Sequence, residues 1–190
     1  MSARHAVRIE INDNAVSRVL SQLAGAIGNP HPLLADMGEC MLARVKDRFD
    51  SSVAPDGTPW AANSPVTISR YLGMYGGSWK KDGTLSKKGR ARASGKKPLI
   101  GESKTLSSQF YTRTGADYVE LGNSTIYAAV HQFGARAGQF GKGRRGNPIP
   151  WGDIPARPFL PVTKTGELDP GEERALLDVL EDYLQRALDI

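Results

Sequence analysis

Apolar residues recur at helical spacing in two N-terminal segments of the chain, and each segment predicts an amphipathic helix. The first begins after Asn12-Asp13-Asn14, whose side chains can cap it, and ends at Gly28-Asn29-Pro30. The second begins at Pro32, a residue suited to the first turn of a helix. The apolar stripe of the first helix consists of Val16, Val19, Leu20, Leu23 and Ile27. That of the second consists of Leu34, Met37, Met41, Val45 and Phe49.

A third amphipathic helix is predicted near the C-terminal end of the chain. Asp169-Pro170-Gly171-Glu172 has the form of a capping box, with Asp as the N-cap, Pro at the first helical position and Glu at the third. The apolar stripe that follows consists of Leu176, Leu177, Leu180, Tyr183, Leu184 and Leu188. A stripe this broad needs a partner surface, so the helix is expected to return to the core.

Alternation of apolar and polar residues predicts strands in two places. In Val7–Ile11, every second residue is apolar and shares one face of a strand. The second place is a β-hairpin that turns at Gly115-Ala116-Asp117. Its core-facing side chains are expected to be Leu106, Phe110, Val119 and Leu121.

Two short helices complete the helical prediction. Val66–Gly77 is consistent with one of them. The other follows Asn123 or Ser124, either of which can cap it, and ends at Gly134.

The segment Ile154–Val162 is apolar but contains three prolines, so neither a helix interior nor a central strand can accommodate it. It is expected to be an extended segment along a surface or edge, anchored by Phe159 and Leu160. The whole order predicts an α+β fold: a small antiparallel sheet packed with two N-terminal helices and a C-terminal helix, in a single domain of residues 1–190.

The loop after the second helix contains strong turn chemistry at Pro55-Asp56-Gly57 and a tryptophan, Trp60, in otherwise polar surroundings. A tryptophan in such a loop either folds back and holds the loop on the core or contacts a partner. The sequence leaves both interpretations open.

Basic residues are concentrated in one part of the chain. The 190 residues carry 25 Lys or Arg against 20 Asp or Glu, a formal net charge of +5. Residues 77–98 contain eight of these cations, one acid and no apolar period, which predicts a mobile insertion. A Gly-rich basic loop at residues 134–152 is expected to be mobile as well. The insertion is either a solvated loop or an arm that meets phosphates or an acidic protein surface.

Candidate chemistry is sparse. Cys40 is the only cysteine, which excludes an internal disulfide and a multi-cysteine metal site. His131 has no nucleophile motif and no ligand spacing to the other two histidines, so no catalytic residue, metal or cofactor is predicted. Its ring nitrogens are expected to bond to backbone. The N-terminus lacks the apolar region of a signal peptide and no apolar run reaches the length of a membrane span, so a cytoplasmic site of synthesis is expected.

Four segments, in their order along the chain, resemble the virion morphogenesis family of tailed bacteriophages, the tail-completion or head–tail joining proteins of Mu-like phages. They are Asp56–Arg70, Val119–Ala135, Ile154–Val162 and the C-terminal helix. The chain departs from the family pattern in having Gly101–Phe110 where a D-T-G-x-L motif is common, and in a longer basic insertion between Trp79 and Pro98. The matching motif positions are Asp56, Gly57, Pro59, Trp60, Gly122, Tyr127, Ala128, His131, Gln132, Gly134 and Ile154 to Leu160.

The resemblance implies a structural role at the head–tail junction of the virion, as a homo-oligomeric ring that contacts neck and tail proteins and surrounds packaged DNA. Six copies are the usual symmetry of such rings. The alternatives are a nucleic-acid-binding assembly factor that is not retained in the virion, and an enzyme of assembly. The expected subunit or partner contacts are Trp60, Tyr127, His131, Gln132, Phe133, Arg157, Pro158 and Phe159. The candidate DNA-facing positions are Lys80, Lys81, Lys87, Lys88, Arg90, Arg92, Lys96, Lys97, Lys142, Arg144 and Arg145.

Overall fold

The computed structural model describes residues 14–163 and 165–188, and the predicted strand Val7–Ile11 lies outside them. Within the described residues the chain forms seven helices and two strands, which confirms the α+β prediction. The helices are α1 (Asn14–Gly28), α2 (His31–Ser51), α3 (Pro65–Gly73), α4 (Lys87–Gly95), α5 (Thr105–Ser108), α6 (Ala128–Phe133) and α7 (Pro170–Leu188). The strands are β1 (Phe110–Thr114) and β2 (Val119–Asn123).

The three long helices form one layer, in which α7 packs against both α1 and α2. Arg186 near the end of α7 binds Asp36 near the start of α2, with 2.7 Å between Nη2 and Oδ2, so these two helices run antiparallel. The Tyr183 hydroxyl of α7 donates to the carbonyl of Ala26 in α1 at 3.4 Å. The three amphipathic helices predicted from periodicity are thereby confirmed.

The hairpin lies on α2. Phe110 pairs with Asn123 and Thr114 with Val119, in the antiparallel register expected for a tight turn. Gly38 of α2 permits the close approach, since a Cβ there would lie 2.9 Å from Cγ2 of Val119. The predicted hairpin is confirmed. Leu106 is buried in the core as expected, but it lies in the helical turn α5 and not in a strand.

The core joins α2, the loop after it, the hairpin and the proline-rich segment. The Phe49 ring lies 5.3 Å from that of Trp60 and 5.5 Å from that of Phe159, which in turn lies 5.5 Å from Phe110. Tilted and edge-on contacts at this spacing are favourable arrangements of aromatic rings. Phe159 is fully buried and anchors the extended segment as expected. The anchor lies inside the core, whereas the segment was expected to run along a surface or edge.

Helix α7 begins with only half of the predicted capping box. Asp169 Oδ1 accepts a hydrogen bond from the Gly171 N–H at 3.0 Å, as an N-cap side chain does. In a capping box the Asp169 N–H would donate to the Glu172 side chain. Here it donates instead to the carbonyl of Pro161. The Glu172 carboxylate turns inward to Arg44 and Arg48 of α2, because two guanidinium groups are stronger partners than one backbone N–H.

The basic insertion, predicted from its composition to be a mobile loop or arm, contains the helix α4, and its mobility stays a prediction. Ser86 caps α4 by accepting from the Gly89 N–H at 3.0 Å. Arg92 donates to the carbonyl of Gly76 and to the hydroxyl of Ser78, both at 2.9 Å, while its guanidinium lies over the Tyr75 ring. Hydrogen bonds from arginine to main-chain carbonyls, together with cation–π contact, support the structure of this segment where apolar burial is lacking.

Residues 134–152 form the predicted Gly-rich loop, and its mobility stays a prediction. The two ends of the loop are joined by reciprocal hydrogen bonds between Ala135 and Ile154, at 2.9 and 2.7 Å. Nearer the tip, Gly143 donates to Asn147 and Ile149 to Gly141. In the described part of the chain, no helix is long and apolar enough to span a membrane.

A candidate subunit-contact surface at helix α6

Helix α6 is positioned by a turn before it and a glycine after it. Asn123 Oδ1 accepts from the backbone N–H and the hydroxyl of Thr125, closing a turn ahead of the helix. Ser124 bonds to Gln109, and Tyr127 at the N-cap position makes no side-chain cap bond, so the predicted cap at Asn123 or Ser124 was wrong. Gly134 has φ +75° and ends the helix as predicted.

Gln132 fastens α6 to the proline-rich segment. Its side chain is 3% exposed, and its Oε1 accepts from the backbone N–H of Phe159 at 2.9 Å and of Leu160 at 3.0 Å. The Arg157 N–H donates to the carbonyl of His131 at 2.8 Å. A segment rich in proline has few partners for a strand ladder, so this glutamine supplies the acceptor that its N–H groups need.

A second set of bonds joins the proline-rich segment to the loop after α2. Arg157 donates from Nε to the carbonyl of Ala61 at 2.7 Å and from Nη2 to that of Ala62 at 2.8 Å. Trp60 donates from Nε1 to the carbonyl of Pro158 at 2.8 Å and is 6% exposed. Of the two interpretations of Trp60, the one in which it holds its loop on the core is therefore confirmed.

His131 lies half-buried beside a cleft of about 420 Å³ that is also lined by Ser64, Lys97 and Arg157. Its Nδ1 is enclosed and has no hydrogen-bond partner among the described residues, so the expectation that both ring nitrogens bond to backbone was wrong. Burial, with a smaller contribution from the Arg157 charge, lowers the pKa of His131. The imidazole is thus held neutral. The described residues contain no group of three or more side chains able to hold a metal ion.

The outward side of α6 is apolar. Ile126, in the turn before α6, is 96% exposed, and Phe133, the last residue of α6, is 62% exposed. Both side chains line the same recess. Recesses of about 250 and 240 Å³ lie on either side of Phe133, the first reaching Pro158 and Val162 and the second reaching Leu160. An exposed aromatic ridge between two shallow recesses is the form of a protein-contact surface.

The residues expected at an interface therefore divide into two groups. Tyr127 and Phe133 point outward, and Pro158 lines a recess beside Phe133. Trp60, Gln132, Arg157 and Phe159 are buried in the chain's own packing, so they shape the surface from beneath. Sequence reasoning missed Ile126, whose only signal was an apolar residue directly after the polar stretch Asn123-Ser124-Thr125.

The basic residues also divide. Lys80, Lys81, Lys87, Lys88, Arg90 and Lys97 are exposed on and around α4, and Lys142, Arg144 and Arg145 are exposed on the Gly-rich loop. Arg92 and Lys96 are partly buried and directed inward, the latter to the carbonyl of Ile100 and the ring of Tyr71. These two side chains serve the fold of the insertion.

The sequence is similar to those of two phage proteins along most of its length. It is 26% identical over 184 residues to the Mu-like prophage FluMu G protein 2 of Haemophilus influenzae, covering 94% of this chain and 96% of the relative. It is 25% identical over 162 residues to the putative capsid assembly protein G of Escherichia phage Mu, covering 85% and 86%. No solved structure matches the chain significantly. Residues 11–185 match the profile of the phage virion morphogenesis family, and the chain belongs to that family.

Proposed function

We propose that the protein is a structural component of the phage head–tail junction, where it completes or terminates the tail and joins it to the DNA-filled head as part of a ring. Membership of the virion morphogenesis family supports an assembly role. The similarity to a relative named as a putative capsid assembly protein supports the same role. Synthesis in the host cytoplasm and retention in the virion are parts of this proposal.

The observation that carries the proposal is the apolar outer face of α6. The side chains beneath it, Gln132, Arg157 and Trp60, are committed to backbone groups of the same chain. They fasten α6, the proline-rich segment and the loop after α2 to one another, and Ile126 and Phe133 are exposed at the surface of this hydrogen-bonded support. Association loses less conformational entropy when the contacting groups are already fixed, so such a support favours binding to another protein.

We infer that this surface contributes to the contacts of a ring. A contact between two different surfaces of identical subunits closes into a ring when its rotation permits. We take six copies as the expected number, with the neighbouring neck and tail proteins as further partners. In this arrangement the chain acts by shape and contact, and no chemical step is assigned to it.

Electron microscopy of the purified protein, alone and mixed with phage tails or DNA-filled heads, tests the proposal. Rings, or density at the tail end or neck, are expected for the wild type. The double variant I126S/F133S should fold, as judged by circular dichroism, but should lose this density. V66S/M74S is the control, because it removes two other exposed apolar side chains, from the α3 region. A wild-type chain that stays monomeric and attaches to neither particle would contradict the proposal.

The alternative function is that of a nucleic-acid-binding assembly factor that is not retained in the virion. The exposed cations around α4 favour it, since sequence-independent binding to phosphates needs only such a surface. Mass spectrometry of purified virions separates the two functions. A chain that is absent from virions yet binds DNA in a salt-sensitive manner would support the alternative.

A further inference from the structure

The basic insertion presents a hydrogen-bonded surface, here called the basic platform and defined as residues 79–90. A β-bridge joins Trp79 to Leu85, and the Lys80 N–H donates to the carbonyl of Thr84 at 2.8 Å. Asp82 closes the turn by accepting from the N–H and the hydroxyl of Thr84. Ser86 then caps α4, so turn and helix form one continuous unit.

The platform carries cations around an exposed aromatic ring. Trp79 is 44% exposed, which is a large apolar area to leave in water. Tryptophan is among the residues enriched in the anchors of protein–protein interfaces. Within residues 79–90 the only acid is Asp82, and its carboxylate is committed to Thr84. The exposed cations of the platform are Lys80, Lys81, Lys87, Lys88 and Arg90.

Helix α7 presents the opposite charge on its solvent side. Glu173, Leu177 and Glu181 follow one another at intervals of four and form one stripe, with exposed Asp178 beside it. Leu177 is 52% exposed and lines a recess of about 310 Å³. The three carboxylates and Arg174 line the same recess. This acidic face occurs on a chain whose net charge is +5, so it runs against the overall sign.

The two surfaces belong to different parts of the fold. Helix α4 packs against α3, whereas α7 packs against α1 and α2. An exposed leucine among carboxylates matches an exposed indole with lysines around it. A DNA duplex would match the cations alone, leaving Trp79 and the face of α7 without a role, and it would be repelled by α7.

We propose that the basic platform of one subunit docks on the acidic face of α7 of a second copy of this chain, with Trp79 directed at Leu177. The contact is heterologous, since each copy offers both surfaces, and it repeats around a ring. This inference rests on the proposed ring and adds a second contact between neighbouring copies, beside the one proposed at α6. The basic residues of the insertion then serve assembly through protein contact.

Charge reversal tests the docking, with association measured by sedimentation at low and high salt. K87E/K88E and E173K/E181K should each weaken self-association on the order of 100-fold, since like charges would face each other. An equimolar mixture of the two variants should assemble again, because alternating subunits restore opposite charges at every contact. The quadruple variant should assemble alone. R144E/R145E is the matched control, with two cations reversed on the Gly-rich loop, and it should associate like the wild type.

Two outcomes would overturn the inference. If K87E/K88E assembles like the wild type, the ring stands but closes through other surfaces. If that variant instead loses binding to duplex DNA and the mixture with E173K/E181K recovers nothing, the platform is a DNA contact. A wild-type chain that never associates, alone or with tails, would overturn both this docking and the proposed function.

Discussion

At the scale of single residues, the adjacent His131 and Gln132 have different surroundings and different roles. Gln132 points inward and satisfies two consecutive N–H groups of a segment that has no strand beside it. His131, one position earlier, lies at the edge of a cleft with its Nδ1 enclosed. The His131 carbonyl accepts a hydrogen bond from the Arg157 N–H, while burial lowers the pKa of the imidazole and favours its neutral form.

The neutral imidazole predicts a dependence of stability on pH. The folded-state pKa of His131 is lowered by burial and by Arg157, whereas the unfolded chain has the ordinary value of about 6.5. The unfolded state therefore takes up the proton first as pH falls. The free energy of unfolding should be unaffected above about pH 7 and should fall below about 6.5, by at most about 1.4 kcal/mol per pH unit from this group.

Urea unfolding between pH 5 and pH 8 measures this effect. His131→Gln should flatten the slope between pH 6.5 and pH 5 relative to the wild type. His31→Gln is the control, because His31 is exposed at the start of α2. An unchanged slope in His131→Gln would show that the imidazole is protonated equally in both states.

At the scale of elements, the junction of α2 and α7 depends on a buried carboxylate. Glu172 is 2% exposed and binds Arg44 through two hydrogen bonds of 2.7 Å and Arg48 through a third contact. Burial would raise the pKa of Glu172, but the hydrogen bonds from Arg44 and Arg48 outweigh it and hold the pKa below its ordinary value. Arg48 also donates to the carbonyl of Phe159 at 2.8 Å, which links the two helices to the core.

Glu172→Gln should lower the free energy of unfolding by about 3–5 kcal/mol, since it leaves two arginines around a neutral side chain. Glu39→Gln is the control, because the Glu39 carboxylate is exposed on α2, and its effect should stay within about 0.5 kcal/mol. Chemical denaturation at pH 7 gives both values. Equal effects of the two substitutions would show that the buried ion pair does not stabilise this junction.

The docking of α4 predicts a contrast between two glycines of the same helix. A Cβ on Gly89 would lie 2.0 Å from the carbonyl oxygen of Ser78, whereas one on Gly95 would meet nothing within 4 Å. Gly89→Ala should therefore displace α4 and loosen its backbone, so that trypsin cleaves faster after the lysines and arginines of this helix. Gly95→Ala should leave cleavage unchanged or slower, because alanine favours a helix. Cleavage within residues 80–97 is followed by mass spectrometry, and equal rates in both variants would refute the close contact.

At the scale of the whole molecule, the aromatic core makes one cooperative unit of the sheet, α2 and the proline-rich segment. Phe159 is fully enclosed and contacts Phe49 and Phe110. Phe159→Ala should cost about 3–5 kcal/mol of stability. Phe140→Ala, on an exposed side chain of the Gly-rich loop, should cost less than about 1 kcal/mol.

The same core predicts a single unfolding transition. Trp60 reports on the core, and far-ultraviolet circular dichroism reports on the helices, so both signals should change at the same urea concentration. The measurement uses the double variant W79F/W151F, since those two tryptophans are exposed and their fluorescence would mask that of Trp60. Separate midpoints would show that the helical layer and the aromatic core unfold independently.

The sequence alone determined the elements whose signals are local. Helical periodicity located α1, α2 and α7, and alternation with a turn located the hairpin, because a side-chain period is a property of a few consecutive residues. The motifs around Trp60, His131 and Phe159 also indicated the family. Their spacing did not show which side chains face outward.

Only the tertiary structure decided the partners of the polar and charged residues. Glu172 binds Arg44, 128 positions away, instead of completing its capping box. Arg92 supports the structure of an insertion that composition predicted to be mobile, through groups 14 and 16 positions away. Gln132 turns inward while Ile126 and Phe133 remain outside. Each outcome depends on a competition between distant partners for one hydrogen-bonding group, and this competition is settled only when the chain is folded.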